Sequence, residues 1–231
     1  MIFYNGRSSD DFHVIVENYP QRPVPQRKAE RFQVQGRSGD VYVEQDAWEN
    51  VTRVYDVYIS AEGPQLPIVA AKAIEWLMAP GYHELCDDYD TDTFTMAHVL
   101  GPIDIQNIQN AFGRLSIEFD CWPQRFYRSG SYASEMTQDG VLVNPSIYPA
   151  QPLIVLTGAG SGALTIGNST LTLADCNGVT VDCRNMEVYR GTENLNAGVS
   201  GDFPVLGAGR TSVSWSGGIT AVKITPRWYV I

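Results

Sequence analysis

Three groups of residues have types and spacings that could support chemistry. Asp88, Asp90 and Asp92 stand at alternate positions, the way an EF-hand calcium loop opens. Such a loop also needs glycine at its sixth position and glutamate at its twelfth, which are Thr93 and Val99 here. The aspartates therefore read as a solvated or interface acidic turn. Gly158-Ala-Gly160-Ser-Gly162 has the glycine spacing of a dinucleotide loop. It lies between strand-like segments with no helix to hold a pyrophosphate, so a Gly-rich hairpin is expected. His13, His83 and His98 are scattered, and no H-x-x-x-H or G-x-S-x-G occurs. Carboxylates are abundant enough to leave a glycosidase pair open by counting. The five tryptophans could stack on sugars, although packing is their commoner role. No metal and no cofactor are expected.

The four cysteines, Cys86, Cys121, Cys176 and Cys183, form no C-x-x-C pair, and buried free thiols are expected. The formal net charge of −10 is uneven. Residues 1–136 carry 11 basic and 20 acidic side chains, and residues 137–231 carry 5 and 6. An acidic chain repels phosphate backbones, which disfavours nucleic-acid binding. The opening MIFYNGRSSDD lacks a signal-peptide pattern, and no apolar run is long enough to span a bilayer, so a soluble product made in a cytoplasm is expected. Asn50-Val-Thr52 and Asn168-Ser-Thr170 match glycosylation sequons that mean nothing without secretion.

The elements that must position these residues are mostly strands. Only Pro67–Ala79 reads as a helix. Ala70, Ala73, Ile74 and Leu77 make one apolar stripe, Pro67 suits a first turn, and Pro80-Gly81 stops it. It should cover one face of a sheet built from Ile2–Ser60 and His83–Cys121. Val51–Ser60 and Gly113–Cys121 alternate with period two. In the latter, Leu115, Ile117, Phe119 and Cys121 face a core, and Arg114, Ser116, Glu118 and Asp120 face water. Phe94–Leu100 and Ile103–Gln109 bracket Gly101-Pro102. Between the first strands lies Pro20–Arg31, with three prolines and the cations Arg22, Arg27, Lys28 and Arg31. It reads as an exposed arm or loop. Phe32–Val34 and Asp40–Glu44 then flank a glycine turn at Gln35–Gly39.

Composition shifts in Arg128–Ser146, which places a domain boundary near 137. Beyond it short strands recur without a helical period: Leu153–Thr157, Ala163–Ile166, Thr170–Leu173, Val179–Asp182, Met186–Tyr189, Thr211–Trp215 and Ala221–Thr225. Turn signals separate them, the signature of an antiparallel β-sandwich. Arg227–Ile231 could finish the sandwich or pair with the first domain.

Taken in order, these segments resemble one family, the distal tail (Dit) proteins of long-tailed phages and prophages of Gram-positive bacteria. The resemblance rests on Gly36-Arg-Ser-Gly-Asp40, Trp48-Glu-Asn50, Tyr55-Asp-Val-Tyr-Ile59, Ile74-Glu-Trp-Leu77, YHELCDDYD at Tyr82–Asp90 and GRLSIEFDCWP at Gly113–Pro123. In the second half it rests on Asn144-Pro145, QPLIV at Gln151–Val155, Thr157-Gly-Ala-Gly, Val181-Asp182, GDFPVLGAG at Gly201–Gly209, VSWSG at Val213–Gly217 and Thr225-Pro-Arg227.

The resemblance implies a mainly β chain. Residues 1–136 would be a split-barrel-like domain with one helix that closes into a hexameric ring. Residues 137–231 would be a galectin-like or carbohydrate-module-like antiparallel sandwich. The ring would join the tail-tube protein to the tail-associated tip protein and to receptor-binding or baseplate proteins. DNA would pass through without specific binding, and some such rings close only on the growing tail. The location would be the virion tail tip, after synthesis in the bacterial host cytoplasm. Extra sugar-binding insertions found in some relatives are missing from this sequence. Ring closure lets an arm of one subunit dock on the next. Arg22, Arg27, Lys28 and Arg31 are therefore candidates to meet Asp87, Asp88, Asp90 and Asp92 across a subunit boundary. The rival readings are a carbohydrate-binding module for host cell-surface glycans and a glycoside-acting enzyme.

Overall fold

The computed structural model describes residues 1–61, 63–108 and 112–231. Gln109, the end of the expected Ile103–Gln109 segment, lies outside the described residues. The chain packs as two units, residues 1–125 with Ile231, and residues 126–230. The boundary near 137 expected from composition falls inside the second of these.

In the first unit the strands are β1 (Ile2–Tyr4), β2 (Arg7–Ser8), β3 (Val14–Val16), β4 (Arg27–Phe32), β5 (Val41–Trp48) and β6 (Val51–Ser60). Helix α1 (Leu66–Leu77) follows, then β7 (His83–Asp87), β8 (Asp90–Leu100), β9 (Gln106–Ile108) and β10 (Phe112–Tyr127). The sheet runs β2-β1-β7-β8-β10-β6-β3, and β9 also pairs with β10. The antiparallel register of β10 on β6 carries Cys121 opposite Val51 and Phe112 opposite Ser60. Period-two alternation fixes this register, because a one-residue slip would turn Leu115, Ile117 and Phe119 out to water. All three are buried.

Helix α1 packs on that apolar face as its pattern requires. Ala70, Ala73, Trp76 and Leu77 are buried in one cluster with Tyr4, Tyr55, Ile59 and Phe119. Ile74, expected on the stripe, is only half-buried, and Trp76 takes the deeper place. The indole earns that position with both ends: its ring stacks on Phe12 at 4.6 Å, and its Nε1–H donates to the Tyr4 carbonyl at 2.9 Å. A buried indole N–H needs such an acceptor.

In the second unit the strands are β11 (Ser134–Met136), β12 (Gly140–Asn144), β13 (Leu153–Ile166), β14 (Ser169–Leu173), β15 (Val179–Asp182), β16 (Glu187–Arg190), β17 (Glu193–Asn194), β18 (Val199–Gly201), β19 (Gly209–Thr225) and β20 (Tyr229–Val230). Four expected short strands are two long ones. Leu153–Thr157 and Ala163–Ile166 are halves of β13, and Thr211–Trp215 and Ala221–Thr225 are halves of β19. These two strands pair from Leu153↔Thr225 to Ile166↔Val213, with register shifts at Thr157/Gly158 and Gly158/Gly162. The glycine run is thus a bend within a strand and not the expected hairpin. The first half of β13 pairs with β15 and its second half with β14. Both strands turn from one layer to the other at the glycines, enclosing Ile154, Leu156, Leu164, Ile166, Val213, Val222 and Ile224.

Glycine is needed at this bend because the backbones nearly touch. A Cβ on Gly218 would lie 1.7 Å from the Ala159 carbonyl oxygen, and one on Gly158 would lie 2.2 Å from that of Gly218. At the chain's end, Arg227 N–H donates to Gly130 and Tyr127 N–H donates to Trp228, each at 2.9 Å. Residues 227–230 therefore finish the second unit, while Ile231 packs with the first.

Candidate functional site

The acidic turn joining β7 to β8 is held together by Asp87. Its Oδ1 accepts the backbone N–H groups of Tyr89 and Asp90, both at 3.2 Å. An Asx-type turn of this kind tightens a short connection. The Asp87 side chain is only 2% exposed. Its other oxygen accepts the Tyr55 hydroxyl at 2.9 Å from the core face of β6. Burial and the neighbouring Asp87 carboxylate push the Tyr55 phenol well above its ordinary range.

Arg22 completes the arrangement. One guanidinium nitrogen lies 2.6 Å from Asp87 Oδ1 and another 3.1 Å from Asp90 Oδ2. The guanidinium also lies over the Tyr89 ring at 4.8 Å, with Tyr19 beside that ring. Asp90 further accepts from the Thr93 hydroxyl at 2.7 Å and faces Arg125 at 3.6 Å. Burial alone would raise the Asp90 pKa. The Thr93 hydrogen bonds and the two arginines outweigh it and hold the carboxyl below its usual range. Asp88 instead bonds the Met1 amino group at 2.9 Å, and Asp92 is exposed. Asp87 and Asp90 thus converge on Arg22, while Asp88 is engaged by Met1 and Asp92 faces water. No group of three His, Cys, Asp or Glu placed to hold a metal occurs among the described residues.

The structure therefore divides the four cations of the arm. Arg22 reaches the acidic turn within its own chain, where the reading from sequence had all four reach it from a neighbouring subunit. The reason is local. The proline-rich segment after β3 runs back across the first unit and delivers Arg22 to Asp87. Arg27, Lys28 and Arg31 are not in the expected loop but in β4, which among the described residues pairs only with β5. Arg27 meets Glu44 at 3.2 Å and covers Trp48 at 4.7 Å, and Arg31 lies over Tyr42 at 5.8 Å. Lys28 is exposed. Gly36 and Gly39 take positive φ in the connecting turn, as their spacing suggested.

This β4–β5 hairpin is exposed on both faces, with Phe32, Val34, Tyr42 and Val43 each about half uncovered. A two-stranded ribbon with no covered face is marginal by itself, and exposed ion pairs such as Arg27–Glu44 add little. Sequence reasoning missed the buried role of Asp87 and that of Arg53. The signal for Arg53 was present: it interrupts the apolar face of β6 between Val51 and Tyr55.

No protein-family model and no curated protein sequence matches the chain. A solved structure does. The Dit (gp 19.1) protein of phage SPP1 superposes with a TM-score of 0.74, covering 100% of this chain and 98% of that one at 14% identity. The chain has the Dit fold. That structure is described as a paradigm of the hub adsorption apparatus in Gram-positive infecting phages. The Dit fold accounts for both units together, the single-helix sheet domain and the antiparallel sandwich, as the resemblance in the sequence implied. Among the described residues no helix is long and apolar enough to cross a membrane.

Proposed function

We propose that this chain is a structural distal tail protein, the hub at the tip of a phage tail. The observation that carries the reading is the correspondence of fold along the full length of both chains. Six copies form a ring between the tail-tube protein and the tail-associated tip protein. The sandwich carries receptor-binding or baseplate proteins. The role is mechanical and needs neither nucleophile nor cofactor.

The β4–β5 hairpin is the arm that docks on the next copy. Half-exposed apolar side chains beside Arg27, Lys28 and Arg31 suit a partner that buries one set and pairs with the other. The channel wall of the ring is drawn from the acidic surface of residues 1–136, which keeps passing DNA from sticking.

An antibody against the chain, imaged on intact particles by electron microscopy, tests the hub reading. Label at the tail end away from the head is expected. Label on the head, or particles that lack the chain, would overturn it. Light scattering on Arg27→Glu/Lys28→Glu tests the arm, with a weaker and less salt-sensitive oligomer expected.

A further inference from the structure

Strand β6 is fully paired along one edge and half paired along the other. Strand β10 matches it from Val51 to Ser60, whereas β3 reaches only Val57 to Ile59. Two bonds flank that shorter ladder. Glu17 N–H donates to the Asp56 carbonyl at 2.8 Å, and Ser60 N–H donates to the His13 carbonyl at 3.0 Å. Alternate residues of a strand turn their main-chain groups to the same edge. Thr52 and Val54 therefore present N–H and C=O on the side of Asp56 and Ser60, where no strand meets them among the described residues. The arm passes this edge without continuing the ladder, because Pro20, Pro23 and Pro25 have no N–H to give. Between arm and edge lies a groove of about 390 Å³, with Tyr19, Pro20 and Pro23 on one side and Thr52, Val54 and Asp56 on the other.

The groove is acidic. Asp56 is its one charged lining residue. On β10, Glu118 and Asp120 stand opposite Val54 and Thr52, and Arg114 on the same face is taken by Glu17 at 2.8 Å. Strand β4 has the complementary character. It too is paired along one edge only among the described residues. Its sequence, Arg27-Lys-Ala-Glu-Arg-Phe32, carries three cations and one carboxylate. Strand β5 carries Glu44 and Asp46 with no cation, so the acidic edge repels it. Charges on an edge strand oppose indiscriminate pairing, and here they select an edge of opposite sign. An added strand of about three residues satisfies Thr52 and Val54, because ladder bonds recur at alternate residues. Within one chain β4 is held in its hairpin and does not pair with this edge, so a second copy must supply it.

We propose that the open edge of β6 at Thr52 and Val54 is the dock for β4 of a second copy, which joins the sheet as a further strand. Val54, 41% exposed, gains cover, and the cations of β4 come to lie beside Asp56 and Glu118. The proposal rests on the hub reading, which brings copies of the chain side by side.

Amide hydrogen exchange on the full chain tests it, unassembled and then assembled, as the solution oligomer or in purified tails. The expected sign is alternation. Thr52 and Val54 should exchange freely in the unassembled chain and slow by about tenfold or more on assembly, while Arg53 and Tyr55, turned to β10, stay slow in both. Val54→Pro removes one outward N–H and leaves the bonds to β10, so the chain should fold and fail to assemble. Asp56→Arg, on an exposed side chain, should weaken the oligomer, and combining it with Arg27→Glu/Lys28→Glu should restore assembly. That charge reversal serves if Val54→Pro does not fold. Equal exchange of Thr52 and Val54 before and after assembly, protection that appears only when the tip protein is added, or no rescue by the combined reversal would overturn the proposal. Antibody label at the tail tip with both amides still open would sink this dock and leave the hub reading. Label elsewhere with both amides protected would do the reverse.

Discussion

Arg22 and Asp87 are 65 positions apart in sequence, yet their charged groups meet at 2.6 Å with the carboxylate almost wholly buried. This contact fixes the proline-rich arm to the body of the first unit. Removing Arg22 would leave Asp87 with the Tyr55 hydroxyl and two backbone N–H groups but no counter-charge. Arg22→Ala is expected to cost about 2–3 kcal/mol, the low end for a broken buried pair because Arg22 is partly exposed. Denaturant unfolding of Arg22→Ala, Asp87→Asn and the double variant would measure it. The double variant should lose less than the two single losses added together.

Asp182 anchors the second unit in a comparable way. Arg227 donates to both of its oxygens, at 2.7 and 3.3 Å, and Arg184 N–H donates at 3.0 Å. Burial pushes the Asp182 pKa up, but the Arg227 bonds and charge overcome this and hold it below the usual range. The unfolded chain therefore takes up the proton more readily than the folded one. The contribution is complete above the ordinary carboxylate pKa near ~4 and is lost as pH falls through the depressed folded value. Between neutral pH and about pH 3, Asp182→Asn should show a flatter acid limb of stability than the parent. An equally steep limb in both would assign the acid sensitivity elsewhere.

The bend in β13 and β19 makes a sharper prediction. The Gly218 hydrogens face the Ala159 carbonyl oxygen, leaving no space for a methyl group. The neighbour is backbone at an irregularity flanked on both sides by paired ladder, so moving it aside would disturb those pairs. Gly218→Ala is expected to destabilise the chain by about 3 kcal/mol or more, in the tail of single-substitution effects. Gly160→Ala, with open space around its Cβ position, should suffer only the cost of its positive φ. Thermal unfolding of the two variants should rank them in that order.

Much of this architecture was legible in the sequence. The apolar stripe of α1, the alternation of β6 and β10 and the sandwich character of the second half follow from periodicity alone. The continuity of β13 through its glycines did not, because a glycine run marks close backbone approach as readily as a turn. The β4 strand was hidden by the prolines that precede it. Arg22 could not be assigned a partner, since its contact with Asp87 depends on how the arm returns over the sheet. Sequence spacing carries no information about that path.

Burial also governs the thiols. All four cysteines are buried, and none forms a disulfide among the described residues. Burial, with nearby Asp120 and Asp182 respectively, pushes Cys121 and Cys183 up to about 12. Only the thiolate attacks a disulfide reagent, so at pH 8 these two sites hold about one part in ten thousand of the reactive form. Native chain mixed with a chromogenic aromatic disulfide should label neither Cys121 nor Cys183 on the timescale of free cysteine. Denatured chain should release all four equivalents. Rapid native labelling of either residue would mean that its half of the core opens readily.

The last prediction concerns the hairpin and rests on the proposed ring. A ribbon paired only to itself, with both faces in water, opens locally at little free-energy cost. Arg31 and Arg37 lie at and beyond the end of β4, in and beside the glycine turn. In the isolated chain trypsin should cut there first. Arg53 and Arg125 should resist, because opening them requires unfolding the first unit. Once the hairpin lies on a neighbouring copy, its strands gain a covered face and the same bonds should become protected. Limited proteolysis of the chain before and after assembly, with fragments weighed by mass spectrometry, separates the cases. Equal cleavage at Arg37 in both forms would mean that the arm remains free in the assembly and that ring contacts lie elsewhere.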